Sequence, residues 1–495
     1  MIHFNSKHLM NKLLISGLFF LAFFGKIKAQ QWIDEQYQFV TQSDIRYGSA
    51  YDFTGELKPL HMDIYMPVCD ISQTTHLKPL IVWFHGGAFI AGNKNDTSIK
   101  DMCQTFASRG YVTASVEYRL GMVSDDRAWN CNYPDYSCVF AADSAEWARA
   151  YYRSIQDGKG ALRFLINHYQ NYGIDTSNIF LAGESAGSFI ALGIGLMDVS
   201  EERPKETYAT TAVPLPNPQT IGTNGCAYNS GKVFTGTSIS RPDLGSIDGT
   251  IEPTNIHFTI KGISNIYGGM MSDLLKKIPT NKTKPAIYSF HRPCDMIVPI
   301  DSNFVFWGLS WCFTHGYNCY GVQNNHVKLY GSRAFSQWNT AKNYGYTIQN
   351  EFTTVEFPYN FLLGTGSCAD QVNNPCHGYD NRSLREKNLA KFFSTLVTSQ
   401  IPCVKVETHE TFDDIGIQVY PNPTEGKIYI QRSKELSSVT YTFELRSMMG
   451  VVMKEFSGDA SQGNVIDITD LPQGIYFLNI KDNSTIIHTN KIIKY

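Results

Sequence analysis

Beyond residue 24 the chain holds no apolar run near the roughly 20 residues that a membrane-spanning helix needs, so no transmembrane segment is expected. Its eleven cysteines contain no C-x-x-C pair, and a structural zinc site is not expected either. It lacks a basic stripe. The formal charge is −3 and falls to −7 with the loss of the four lysines of Met1 to Ala29, which leaves no electrostatic footprint for nucleic acid. Neither a metal nor a cofactor is called for by any motif.

What is present begins with an address. Lysines precede a 12-residue apolar stretch, Leu13 to Phe24, and Ile27-Lys28-Ala29 offers a cleavage point, so residues 1–29 read as a signal peptide. At 495 residues, with 43% apolar and 18% charged residues, the remainder is long enough for at least two globular domains.

The densest chemical signal is Gly183-Glu184-Ser185-Ala186-Gly187. It lies between a strand-like run, Asn178 to Ala182, and a helix-like run, Ser188 to Ile194. A turn of this pattern between strand and helix strains the serine backbone and exposes its hydroxyl at a helix N-terminus, so Ser185 is the expected nucleophile of an acyl transfer. Upstream, the continuous apolar run Leu80 to Phe84 suits a strand buried on both faces, and His85-Gly86-Gly87-Ala88-Phe89 follows it directly. Backbone amides in such a turn can face the oxygen on which charge develops, each lowering a barrier by about 3 to 4 kcal/mol. The amides of Gly87, Ala88 and Ala186 are the expected oxyanion hole, and His85 is read as a buried structural imidazole.

On these residues, together with Glu117-Tyr118-Arg119-Leu120-Gly121, the sequence resembles serine esterases of the α/β-hydrolase fold, in the carboxylesterase and hormone-sensitive-lipase-like branches. The resemblance covers roughly 45–400, and a catalytic domain is expected over 30–400. It implies a mostly parallel central sheet, and a triad in the chain order nucleophile, acid, histidine. Ala88 departs from the third glycine usual in the oxyanion stretch.

For the acid, Pro285 to Phe290 reads as a strand, and Asp295 follows its C-terminal end, where functional groups gather in open α/β sheets. The Val-Pro shortly after it also fits the family pattern, and Asp301 is the alternative. For the histidine, His326 and His377 compete. His326 comes 31 residues after Asp295 but precedes a helix-like stretch, Arg333 to Asn343, and a further strand, Thr353 to Phe357. His377 follows that strand and precedes a helix-like segment, Ser383 to Val397, which is the order the fold requires. His377 is therefore the expected base. Cys294 and Cys376 each immediately precede one of these residues, so a bridge between them would fix the site, with Cys368 to Cys376 as the competing pairing and Cys103 as the expected unpaired, buried thiol. Cys131/Cys138 and Cys312/Cys319 could staple loops.

Two interruptions stand between the catalytic strands, about Glu202 to Thr254 and Asp301 to Gln323, and are read as lid or binding loops, the second rich in aromatic residues. After a polar linker over 401–414, seven short alternating segments run from Ile415 to Ile493 and argue for a β-sandwich over 415–495. This tail resembles the C-terminal sorting domain of the type IX secretion system of Bacteroidota, through Val419-Tyr420-Pro421-Asn422-Pro423, Met449-Gly450, Leu471-Pro472-Gln473-Gly474-Ile475-Tyr476 and the basic end Lys491 to Lys494. The resemblance implies export through the periplasm to the outside or the cell surface, with the secretion machinery as partner and an ester as substrate. A catalytically idle adhesion protein on the same fold is the competing reading, and a serine peptidase would be expected to carry a propeller or large helical cap, for which no pattern is visible.

Overall fold

The computed structural model describes residues 31–68, 77–123, 141, 143–214, 219–220, 233–234, 238–278, 284–295, 297–305, 327–353, 376–398, 417–432, 440–448, 450–459, 464–482 and 485–494. They fall into two compact units, the first ending at 398 and the second built on 417–494.

The first unit is an eight-stranded sheet: β1 (Phe39–Tyr51), β2 (Leu57–Pro67), β3 (Lys78–Phe84), β4 (Val112–Val116), β5 (Ile174–Glu184), β6 (Ile260–Ile266), β7 (Ala286–His291) and β8 (Ile348–Phe352). Their order across the sheet is β1-β2-β4-β3-β5-β6-β7-β8. Only the pairings of β1 with β2 and of β2 with β4 are antiparallel, and everything from β4 onward is parallel. Parallel strands need crossover connections, and helices supply them. Among these are α1 (Thr97–Ala107), α2 (Ser144–Asn167), α3 (Ala186–Leu196) and α4 (Ser332–Ala341), with α5 (Arg382–Leu396) closing the unit.

The apolar run of β3 alternates between two cores. Leu80, Val82 and Phe84 join Tyr151 and Ile155 of α2 and Ile190 of α3, whereas Ile81 and Trp83 join Phe106 of α1 and Phe393 of α5. A strand covered on both faces must be apolar at every position, and this one is buried from Pro79 to Phe84. The C-terminal ends of β3, β5 and β7 consequently open on the same edge of the sheet, where the three motif loops begin.

Among the described residues, the last strand before His377 is Ile348–Phe352, parallel to β7, which the sequence reading did not mark. Thr353 is described outside any strand, and 354–357 lie outside the described residues. Its pairing marks it: Ile348 to Phe352 aligns with Ile287 to His291. Within the first interruption, the described stretch from Arg241 to Glu252 is a strap along α2. Arg241 bonds Glu146 and Asp143 at 2.8 Å each, Gln156 reaches the carbonyls of Leu244 and Ser246, and Lys159 pairs with Asp248 at 2.7 Å. In the second interruption, 306–326 lie outside the described residues, and with them both the aromatic segment and His326.

The second unit has the seven strands expected: β9 (Ile417–Tyr420), β10 (Lys427–Arg432), β11 (Thr440–Ser447), β12 (Val452–Asp459), β13 (Asn464–Asp467), β14 (Gly474–Asp482) and β15 (Thr485–Lys494). They form a three-stranded sheet, β9-β10-β13, and a four-stranded sheet, β12-β11-β14-β15. Ile428, Ile430 and Ile466 of the first share one core with Phe443, Leu445, Leu478, Ile480 and Ile492 of the second, which is a β-sandwich.

Candidate active site

Ser185 stands between β5 and α3 at φ 51°, ψ −124°, a conformation that L-residues rarely adopt. Its neighbours must be small for a measurable reason. A Cβ on Gly183 would come within 2.2 Å of the Gly187 backbone, and one on Gly187 within 2.0 Å of the Phe84 carbonyl oxygen. The turn is pinned to β6 by the Ser185 N–H donating to Ile266 O at 3.0 Å, and by Ser188, whose hydroxyl accepts from the Ile266 N–H at 2.8 Å and reaches Gly183 O at 2.5 Å.

Three side chains from distant loops meet at this turn. The Ser185 Oγ lies 2.9 Å from His377 Nε2, and His377 Nδ1 lies 2.8 Å from Asp295 Oδ2. A carboxylate oxygen can only accept, so His377 carries its proton on Nδ1, and Nε2 is left to accept from the Ser185 hydroxyl. Asp295 is fully buried, and its other oxygen accepts from the amides of Ile297 and Val298 at 2.9 and 3.1 Å. Burial by itself would raise the pKa of this carboxyl. The charge of His377 and hydrogen bonds from His291 and His377 outweigh it and hold the carboxyl below its ordinary value. Cys294 and Cys376 are bonded to each other across 82 residues of sequence, next to the acid and the imidazole. That excludes the pairing of Cys376 with Cys368, and Cys103 is free and buried in α1. Cys131, Cys138, Cys312 and Cys319 lie outside the described residues.

Asp301 is elsewhere: it pairs with Arg333 at 2.6 Å on the surface. Gly87, Ala88 and Phe89 all have positive φ, of 104°, 52° and 61°, so the chain after β3 coils tightly, with Gly87 O accepting from Ile90 and Ala91. Ala88 tolerates this at some cost, whereas Gly87 has no choice, since a Cβ there would sit 2.2 Å from Ala91 O. Ala88, Ser185 and Ala186 line one apolar pocket, walled further by Phe89, Phe189 and Met271. His85 is buried and stacked on Tyr118, with ring centroids 4.3 Å apart, and its Nδ1 donates to Gly86 O at 2.7 Å. Burial pushes it down to about 4, so it is neutral near pH 7.

Sequence reasoning passed over three residues that shape the site. Glu184 accepts from Ser98 at 2.6 Å and from the Tyr267 hydroxyl at 2.7 Å, and the Tyr267 ring meets His377 edge-on at 4.9 Å. His291, at the end of β7, touches Asp295 Oδ2 at 3.2 Å. Nothing in the string separates these from other core-facing glutamates, tyrosines and histidines.

Known proteins resemble the first unit over part of its length. A family model described as BD-FAE matches residues 62–141 and 133–214, which carry the turn after β3 and the serine turn. The chain resembles esterases of the α/β-hydrolase fold. Curated relatives of this esterase-like unit include the neuroligin-like protein glit-1 of Caenorhabditis elegans, 30% identical over 28% of this chain and 16% of that one. Others are the probable isoprenylcysteine alpha-carbonyl methylesterase ICMEL1 of Oryza sativa subsp. japonica, 28% identical over 28% of this chain and 25% of that protein, and carboxylesterase 1D of Mus musculus, 28% identical over 26% and 19%. The chain thus spans a quarter or less of the length of these relatives. Solved structures similar to it include a truncated carbohydrate esterase from gut microbiota, at 15% identity over 73% of this chain and 98% of that one with a TM-score of 0.37. Esterase B of Lactobacillus rhamnosis is similar at 13% identity over 79% and 95%, with a TM-score of 0.38. Residues 418–495 match a secretion system C-terminal sorting domain.

Proposed function

We propose that the protein is a secreted serine hydrolase of carboxylic esters, working through Ser185, His377 and Asp295 and an acyl-enzyme. The observation that carries the reading is the unbroken hydrogen-bonded chain from Ser185 Oγ through both nitrogens of His377 to Asp295. His377 Nε2 takes the hydroxyl proton as Oγ bonds to the ester carbonyl carbon. The resulting oxyanion is met by backbone amides of Gly87, Ala88 and Ala186. Collapse breaks the bond to the alcohol oxygen, which leaves with the proton held by His377, and water repeats the sequence to release the acid. Asp295 keeps the tautomer and offsets the charge of the imidazolium. The apolar cavity beside Ser185 suits the carbon skeleton of the acyl group.

The route out of the cell belongs to the second unit, whose match to a sorting domain supports export by the type IX machinery across the periplasm. Ser185→Ala tests the first part: ester turnover should fall by several orders of magnitude with the circular dichroism spectrum unchanged. Retained turnover would remove the assignment. p-Nitrophenyl esters of rising acyl length, run beside feruloyl and acetyl-xylan substrates, would identify the ester.

A further inference from the structure

Asp295 Oδ2 faces two imidazoles. His377 Nδ1 approaches at 2.8 Å from the solvent side, and His291 Nε2 at 3.2 Å from the core, where His291 is fully buried. The same His291 Nε2 lies 3.0 Å from Val298 O. A carbonyl oxygen only accepts, so Nε2 carries a proton, shared between the carbonyl and the carboxylate. On the other side of the ring, Nδ1 lies 2.9 Å from Ser332 Oγ, which itself receives an N–H from Asn265 at 3.0 Å. Asn265 also donates to Ser289 at 3.2 Å. The Ser332 hydroxyl also reaches the Gly268 carbonyl at 3.5 Å. These contacts build His291 into the ends of β6 and β7 and the start of α4.

We propose that His291 is a positioning residue for ester hydrolysis: a buried donor that holds Asp295 Oδ2 toward His377 and draws off part of the carboxylate's charge, with Ser332 and Asn265 fixing its ring. The inference rests on the proposed triad. A carboxylate that gives all its charge to His377 would hold the imidazolium too tightly and make it a poorer acid toward the leaving alkoxide. A second donor tempers that hold. It also closes the turn geometrically, because one N–H spans from Asp295 to Val298, the segment whose amides bind the other carboxylate oxygen. Among the described residues, His291 and His377 face the carboxylate, with the Tyr267 hydroxyl also within electrostatic reach.

The test compares His291→Phe, which keeps a ring without a donor, with His291→Gln, whose terminal amide can replace Nε2–H, on a p-nitrophenyl ester. His291→Phe should lower kcat about tenfold, the worth of one net hydrogen bond, with KM within a factor of two. The acid limb of its kcat/KM profile should move to higher pH, because the unshared carboxylate raises the affinity of His377 for its proton. His291→Gln should recover most of kcat and return the limb. Ser332→Ala, which frees the far side of the ring without touching Asp295, should move the limb in the same direction by less. As a readout independent of turnover, the downfield proton of the His377 to Asp295 hydrogen bond should shift in His291→Phe and return in His291→Gln. Wild-type kcat and an unmoved limb in His291→Phe, or a Gln variant no better than Phe, would overturn the positioning role alone. No turnover by the wild type would overturn the triad and this inference with it.

Discussion

His85 shows how a single buried group sets a pH limit for the whole first unit. Its imidazole takes a proton near 6.5 in the unfolded chain but only at about 4 when folded, with burial as the main cause. The folded pKa is depressed, so the unfolded state binds more protons between those values. The contribution to stability is therefore complete above about pH 6.5 and is lost as pH falls toward 4, at about 1.4 kcal/mol per pH unit. The melting temperature should decline across that window, and His85→Gln should flatten the decline even if it lowers the plateau. A melting curve of the variant as steep in pH as that of the parent would assign the effect elsewhere. Residues of this kind divide sharply in legibility. Ser185 and the glycines around it are written in the string because no other residue fits their backbone. His291 and Glu184 are not, since their roles come from partners 41 and 83 positions away.

At the scale of elements, sequence periodicity located β3, β5, β7, α3, α4, α5 and all seven strands of the sandwich to within a few residues. One strand went unmarked because pairing, not composition, decides it. The strand Ile348–Phe352 is partly polar along its length, yet it aligns with β7 and carries Glu351, which accepts from the Tyr288 hydroxyl at 2.7 Å and from Arg385 of α5 at 2.9 Å. These contacts tie the helix that follows His377 to the edge of the sheet. The disulfide adds a second tie, closing 82 residues between the acid and the base. In the chain-entropy account a loop of that length contributes about 4 to 5 kcal/mol. Cys376→Ser should therefore lower the melting temperature of the first unit, and mild reduction of the parent should lower kcat before the near-ultraviolet signal of the core is lost. Equal activity of oxidised and reduced protein would show that packing of His377 against Tyr267 suffices to hold the site.

For the whole molecule, the division of labour between the two units is itself testable. Every side chain proposed for chemistry lies at or before His377, and α5 ends at Leu396, inside the first unit. The second unit has its own core and its own charge network, in which Glu444 is bonded by Arg446 and Lys481 at 2.5 and 2.7 Å and held down to about 2. A unit that satisfies its own apolar and charged groups does not need the other to fold. A chain ending near Gln400 should accordingly keep the kcat and KM of the full protein on a p-nitrophenyl ester. In the native host, removal of Ile415 onward should leave active enzyme in the periplasm and none outside, measured by fractionation and ester turnover in each compartment. Normal export of the shortened chain would remove the sorting role of 418–495. Loss of purified activity with the first unit still folded would mean instead that the sandwich supplies part of the substrate site, and the two outcomes are read from different fractions of one experiment.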